Sequence, residues 1–344
     1  MSNITTLGID LAKPVFQLCG SNQAQKVIFN KQVKRARLLD EIRKHPNAVI
    51  AMEACGSAHH WSRTLTEMGF KVRLIPAQHV KALVRGNKND AADALAIAEA
   101  VFRPNIHDVE PKTLEQQDIQ LLLRIRTKIK DQRKQNACQR RSLLSEYGVI
   151  FPVGLANLDR AVPELLEDVE NGLTPIARKA LHEQLLTHQT LSKKVNEADK
   201  QLAVMASNHD IAKQLMRLRG IGSITAPALY ACIGKGRQFK NARQLSAWLG
   251  LVPKQYGTGG VIHLGGISKR GNSYLRTLLI HGARTVFNWA KKRDDTLSVW
   301  ATSVAQRRGK HKAIVAVANK TARMVWVVLH KGVPALPEHY VSAR

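Results

Sequence analysis

Four acidic residues near the N-terminus carry the chemistry that reads most directly from this chain: Asp10, Glu53, Asp90 and Asp93. Asp10 closes the run LGID ahead of LAK. Glu53 follows the apolar run AVIAM, within AMEACGS. Asp90 and Asp93 stand three apart in NKNDAADA, so a helix starting there puts them on one face. If Asp10 and Glu53 end neighbouring strands and the helix lies against the same sheet, the four carboxylates meet at one edge. Such a cluster repels itself and needs cations. Carboxylate oxygens select hard ions, Mg²⁺ or Mn²⁺. Two such ions about 4 Å apart clamp the attacking and leaving oxygens of a phosphoryl transfer. Taken singly, Asp10 also fits a strand-end turn and Asp90 a helix N-cap. Glu53 is the most telling, because a Glu directly after a buried strand calls for a metal or cationic partner.

The elements that must position these acids follow from the apolar pattern. Residues 4–10 and 15–20 read as strands, with KVIFN as a short third. A short helix covers 37–44. The continuous apolar run 48–52 suits a buried central strand. A helix through Trp61 and Leu65 ends at Gly69, a strand at 71–74 is closed by Pro76, and an alanine-rich helix spans 91–101. Three opening strands followed by alternating strand and helix predict an α/β layer fold with a mixed sheet over residues 1–110.

Residues 111–208 change character. The stretch 114–147 reads as one long helix with apolar positions at Leu114, Leu121, Ile125, Ile129 and Leu143, and 152–175 as a break with scattered turns. A second long helix carries Leu181, then Leu191, Val195, Ala198, Leu202 and Met205, whose alternating steps of four and three are those of a coiled-coil seam. This predicts an antiparallel arm or an oligomerisation device; two amphipathic helices packed on the core are the alternative. Residues 209–344 read as an all-α, strongly basic domain interrupted by Gly-rich turns.

The formal net charge is +27 and the pI about 10.3, which points to a polyanionic partner, nucleic acid or an anionic membrane surface. Residues 1–110 contribute +5 and the remainder +22. Between Lys240 and Lys331 there are 17 basic residues against two acids, Asp294 and Asp295. No stretch reaches the roughly 18 uncharged apolar residues of a membrane helix. The nearest, 313–329, is interrupted by Lys320 and Arg323. The membrane alternative therefore loses. The four cysteines, Cys19, Cys55, Cys138 and Cys232, form no C-x-x-C pair, and no basic-then-apolar leader precedes the first strand. A reducing, cytoplasmic setting in contact with the nucleoid is expected.

Two further stretches suggest contacts to nucleic acid. RLRGIGSITAPALYACIG, 217–234, reads as a helix-hairpin-helix whose turn at Gly220 and Gly222 presents backbone N–H groups to a phosphate; a plain Gly-capped connection is the alternative. Downstream stands VPKQYGTGGVIHLGGISKRGNSYLRTLLIHGA. Its Gly259 allows close backbone approach to a phosphate, and Lys254, Lys269, Arg270 and Arg276 supply the neutralising charge.

The pattern GID-x-AK, EA-x-GS and NK-x-D-A-x-DA, together with the GTGG…LGGISKRG block, resembles the DEDD-type transposases of the insertion sequence one-ten family, which includes the Piv-type DNA invertases. The resemblance spans nearly the whole chain. It implies a ribonuclease-H-like catalytic domain of the RuvC type, with Asp10, Glu53, Asp90 and Asp93 as its metal-binding acids. It also implies a hydroxyl in the C-terminal domain that joins covalently to DNA. That hydroxyl is a serine in the family, whereas here the position is Thr258; Ser268 is the second candidate, although it could instead cap the following helix. The resemblance further implies recombination of double-stranded donor and target DNA by a dimer or tetramer, guided by a structured RNA encoded in the element's flank. Two other functions fit parts of the pattern: a RuvC-like junction endonuclease in which water attacks, and a non-enzymatic nucleic-acid binder.

Overall fold

The computed structural model describes residues 3–86, 89–152, 154–332 and Tyr340. Asn87 and Lys88 of the NKNDAADA motif lie outside the described residues. Two compact units divide the chain, Met1–Thr113 and Leu114–Arg344.

The first unit is a five-stranded mixed sheet in the order β3-β2-β1-β4-β5. Its strands are β1 (Ile4–Asp10), β2 (Val15–Asn22), β3 (Val27–Lys34), β4 (Val49–Glu53) and β5 (Val72–Ile75). β1, β2 and β3 pair antiparallel, while β4 and β5 run parallel to β1. Period-two alternation sends Leu7, Ile9, Ile50 and Met52 to one face, where they pack with Leu38 and Ile42 of α1 (Leu38–Arg43) and Trp61 and Leu65 of α2 (Ala58–Glu67). The opposite face is covered by α3 (Ala77–Leu83), which the sequence pattern does not predict, and α4 (Asp90–Ala100). The composition of α4, DAADALAIAEA, explains its close seat. Ala94 and Ala98 leave so little room that a Cβ on Gly8 would lie 2.4 Å from the Ala94 carbonyl oxygen and 2.6 Å from the Ala98 nitrogen.

The second unit is helical apart from one hairpin. Two long helices, α5 (Leu114–Ser145) and α7 (Pro175–Asn208), pack together, and their cross-contacts run in opposite directions: Arg126 pairs with Asp199, and Asn136 bonds Gln184. On α7 the predicted seam is buried at Val195, Ala198 and Leu202. On α5 four of the five apolar positions expected to pack, all but the half-buried Ile129, are exposed. Leu114, Leu121 and Ile125 are 65%, 57% and 48% exposed. The buried face carries Ile119, Leu123 and Leu144 together with Gln116, Asn136 and Arg140. The polar members of this face find partners on other helices, Gln116 on the Tyr230 carbonyl, Asn136 on Gln184 and Arg140 on Asp159, so hydrophobic periodicity alone selects the wrong stripe. Arg140, fully buried, reaches Asp159 at 3.4 Å, and His188 reaches the same carboxylate at 3.0 Å.

The expected break at 152–175 is also corrected. It contains α6 (Leu155–Glu167), which folds Leu158 and Val162 into a small core with Ala137, Leu144, Leu181 and Leu185. Pro163 lies inside this helix, nine positions into it, and is the reason the segment reads as a break.

The remaining helices are α8 (Asp210–Met216), α9 (Thr225–Ile233), α10 (Ala242–Trp248), α11 (Ser273–Ala290), α12 (Thr296–Arg308) and α13 (Lys310–Lys331). They share one hydrophobic core with the Ile119/Leu123 part of α5 and with Leu202 of α7. Among the described residues α13 alone is long and apolar enough to cross a membrane by length and composition. Its Ala313, Val317, Ala318, Ala322 and Val325 are buried against the other helices, the placement of a core helix. β6 (Pro253–Thr258) and β7 (Val261–Ile267) form an antiparallel hairpin that the all-helical expectation misses. Its signal is legible in hindsight: QYGTGGVIH sets β-favouring residues on either side of Gly-Gly. Gly259 and Gly260 take φ of 55° and 82°, the left-handed pair a two-residue primed turn requires.

The 217–224 turn and α11 also meet through glycine. A Cβ on Gly282 would lie 1.9 Å from the Gly220 carbonyl oxygen. Gly282→Ala should therefore push α11 away from the 217–224 turn and cost about 3 kcal/mol. Thermal unfolding of the variant checks this, and a melting temperature equal to that of the wild type would contradict the contact.

Candidate active site

Alternation along the strands decides where the acids point. Gly8 faces α4, so Asp10, two residues on, lies on the same face. Ala51 packs in the cluster containing Ala96 and Ile97 of α4, so Glu53 shares that face too. Ile9 is paired with Met52 across the parallel β1–β4 register, which makes Asp10 and Glu53 the next residues along neighbouring strands. Asp90 and Asp93 sit in the first turn of α4, on the stripe that continues through Ala94 and Ala98 onto Gly8. Asn89, not Asp90, is the N-cap: its side chain accepts a hydrogen bond from the Ala92 N–H at 2.8 Å. Asp90 is thereby left free of the capping role.

The electrostatics report how close these groups come. Asp10 is pushed up from 3.8 to about 6, first by burial and then by the negative charges of Asp93, Asp90 and Glu53; only a hydrogen bond from the Leu11 backbone opposes this. Glu53 and Asp93 line a cavity of about 400 Å³ with Ala77, Val80, Lys81 and Val84. Among the described residues no three His, Cys, Asp or Glu side chains converge tightly enough to hold one ion in common. The chemistry of the four side chains nevertheless suits a hard divalent cation: all are carboxylates, and a cation beside Asp10 would offset the negative charge around it.

In the second unit Thr258 ends β6, immediately before the Gly259–Gly260 turn, and every residue of that strand is exposed. Lys254 lies on the same strand. Ser268 does not cap α11: Asn272 does so, accepting from the Leu275 N–H at 3.0 Å. The Ser268 hydroxyl is buried without a hydrogen-bond partner. The loop bearing Ser268, Lys269 and Arg270 is locked to the end of α10. The Ser268 N–H donates to the Val252 carbonyl at 2.8 Å and the Lys269 N–H to the Gly250 carbonyl at 3.1 Å. A Cβ on Gly271 would sit 1.8 Å from the Trp248 carbonyl oxygen, and φ there is +69°. Lys269 itself takes a left-handed φ of 55°, and both Lys269 and Arg270 project into solvent. Arg276 is half-buried and donates to the Leu249 and Arg270 carbonyls, so it holds this loop in place.

The 217–224 turn lies between α8 and α9. Gly220, at φ 84°, is pressed against Gly282, whereas Gly222 is exposed and open on its Cβ side. The residues that sequence reasoning misses here are Tyr256 and His263. They stack across the hairpin at 5.5 Å between ring centroids. Cross-strand pairing, which only a recognised hairpin reveals, was the signal needed.

Comparison with known proteins matches two stretches of the chain to transposase families. Residues 212–298 match the family described as "Transposase IS116/IS110/IS902 family", and residues 7–149 match the DEDD transposase family associated with it. The transposase for insertion sequence element IS1111A of Coxiella burnetii is 41% identical over 96% of this chain and 90% of its own length. The transposase for insertion sequence element IS1328 of Yersinia enterocolitica is 34% identical over 96% of this chain and 98% of its own. Transposases are enzymes that cut and rejoin DNA, and the chain belongs to the IS116/IS110/IS902 family of insertion-sequence transposases.

Proposed function

We propose that this transposase recombines double-stranded donor and target DNA through a covalent protein–DNA intermediate, with its four N-terminal acids serving a divalent metal. The observation that carries the reading is the gathering of Asp93, Asp90 and Glu53 around a half-buried Asp10, whose carboxyl is pushed up to about 6 first by burial and then by their charges. Asp10, Glu53, Asp90 and Asp93 would hold Mg²⁺ or Mn²⁺, and the bound ion supplies charge neutralisation at the reacting phosphate. The sheet, ribonuclease-H-like in its order, fixes the first two acids, and α4 delivers the other two.

Thr258 is the nucleophile. Its position at the tip of an exposed hairpin, beside two glycines without side chains, lets a phosphate approach its hydroxyl closely. Ser268 is the weaker candidate, because its hydroxyl is enclosed by the loop that α10 clasps. Lys254, Lys269 and Arg270 bind phosphates, while Arg276 positions the loop that presents two of them. Gly222 offers the open face of the 217–224 turn to the DNA backbone; Gly220 shapes that turn. The α5–α7 pair, tipped by α6, forms an arm that brings copies of the chain together and contacts a guide RNA. The +22 surplus beyond residue 110 supports polyanion binding on this scale. The enzyme acts at the nucleoid, in the cytoplasm.

The test is a trapping gel. Protein, RNA transcribed from the element's flank, and labelled donor and target duplexes are mixed in Mg²⁺ and denatured. A protein–DNA adduct that disappears in Thr258→Ala and survives in Ser268→Ala is the expected result. Cleavage without any adduct, lost in Asp10→Asn and retained in Thr258→Ala, would instead establish hydrolysis by a junction endonuclease.

A further inference from the structure

The β6–β7 hairpin is amphipathic although both of its faces are open to solvent. Its register pairs Gln255 with Leu264, Tyr256 with His263, Gly257 with Ile262 and Thr258 with Val261. Directly opposed residues in an antiparallel pair lie on one face, and alternation then sorts the hairpin into two sides. One side carries Gln255, Gly257, Ile262 and Leu264. The other carries Lys254, Tyr256 and Thr258 of β6 with Val261 and His263 of β7. Every side chain able to bind or activate a phosphodiester on this hairpin other than Gln255 therefore shares the face of Thr258.

His263 stands one diagonal step from Thr258 on that face. Diagonal neighbours lie about 7–8 Å apart, near enough for a ring nitrogen to reach a hydroxyl directly or through one water. Its ring is not loose: it stacks on Tyr256 at 5.5 Å and an interplanar angle of 25°. The titratable groups sharing the face are Tyr256 and Lys254; no carboxylate lies on either strand. A threonine hydroxyl needs a base beside it before it can attack phosphorus. Of the side chains on the face, His263, one diagonal step from Thr258, is the one that offers a ring nitrogen able to accept a proton.

We propose that His263 is the proton acceptor for Thr258, held in place by its stack on Tyr256. The inference rests on the reading of Thr258 as nucleophile. In the step, the Thr258 hydroxyl proton passes to the imidazole as the threonine oxygen bonds to phosphorus. The bond from phosphorus to the leaving DNA oxygen breaks, that oxygen takes a proton from solvent, and the imidazolium returns its own proton to solvent. Charge and atoms balance, and no oxidant or further reactant is needed. In the resealing direction the imidazole, protonated again from solvent, gives that proton to the departing threonine oxygen, while the attacking DNA hydroxyl loses its own proton to solvent.

The full chain is assayed for adduct formation in single-turnover gels with a labelled duplex carrying the joined ends of the element, flank RNA and saturating Mg²⁺. His263→Ala and His263→Gln are compared with Thr258→Ala, and DNA binding of each is measured by gel shift. The expected result is unaltered binding, adduct formation slowed by about 10² to 10⁴-fold in both His263 variants, and recovery of His263→Ala by added imidazole. Rescue should strengthen with the basicity of substituted imidazoles, which a residue that merely stiffens the hairpin would not show. Adduct lost in Thr258→Ala but formed at the wild-type rate in His263→Ala overturns the proposal and leaves the nucleophile standing. Slowing without imidazole rescue also overturns it, reducing His263 to a hairpin brace. Adduct persisting in Thr258→Ala removes the nucleophile itself, and His263 with it.

Discussion

Asp10→Asn is expected to stop DNA cleavage while making the metal-free protein harder to melt. Activity and stability move in opposite directions because the folded chain holds Asp10 against its own preference. Its carboxyl titrates near 6, against an ordinary 3.8, since burial and then Asp93, Asp90 and Glu53 disfavour its charge. The folded protein keeps this proton to higher pH than the unfolded chain does. Stability contributed at this position is therefore present below about 4, declines as the pH rises to about 6, and stays low above it. Asparagine carries no charge and escapes the decline. With Asp10 partly solvated, the gain at pH 7.5 comes to roughly 1 kcal/mol, or about 3 °C in melting temperature. Cleavage should fall by at least about 10³-fold, the scale on which loss of one preorganised electrostatic group is felt. Calorimetry without metal at pH 4.5 and 7.5 checks the first half. An Asn variant that melts lower than the wild type at pH 7.5 would show that Asp10 is not under repulsion.

Gly8→Ala should damage fold and site together. The added methyl would meet backbone on α4, 2.4 Å from the Ala94 oxygen and 2.6 Å from the Ala98 nitrogen, and neither can rotate away. Either the helix lifts or the strand bends, at about 3 kcal/mol. Because Asp90 and Asp93 ride on the same helix, lifting it separates them from Asp10. The Asp10 carboxyl then returns toward its ordinary range, a change visible by carbon NMR titration of labelled aspartate. Gly56→Ala is the control, since nothing lies within 4 Å of a Cβ there. If Gly8→Ala leaves both the melting temperature and the Asp10 titration unchanged, the close seat of α4 is not what assembles the cluster.

The parts of this molecule that were legible in its sequence are those where one signal dominates. LGID and AVIAME announce buried strands by continuous apolar runs, and DAADALAIAEA announces a helix small enough to lie close to a sheet. The three places where acids stand at element ends follow from those assignments. Legibility fails where signals compete. On α5 the buried stripe contains Gln116, Asn136 and Arg140, whose burial depends on partners far along the chain, while Leu114 and Leu121 face outward. Pro163 disguises α6, although Leu155, Leu158 and Val162 keep helical spacing. The hairpin at 253–267 is hidden by its five glycines, which read as loop until Gly259 and Gly260 are recognised as a primed turn. The roles of Arg276 and Gly220 were equally invisible: a charge and a glycine that resemble phosphate contacts are engaged in holding backbone.

The central claim, that the four acids form a metal site, is tested most directly by titrating the full chain with Mn²⁺ by calorimetry at pH 6, in two buffers of different ionisation heat. Binding to the wild type should release a fraction of a proton as Asp10 ionises, and both binding and release should vanish in Asp10→Asn and in the Asp90→Asn, Asp93→Asn double variant. Equal Mn²⁺ affinity in all three proteins would place the metal elsewhere and contradict the account.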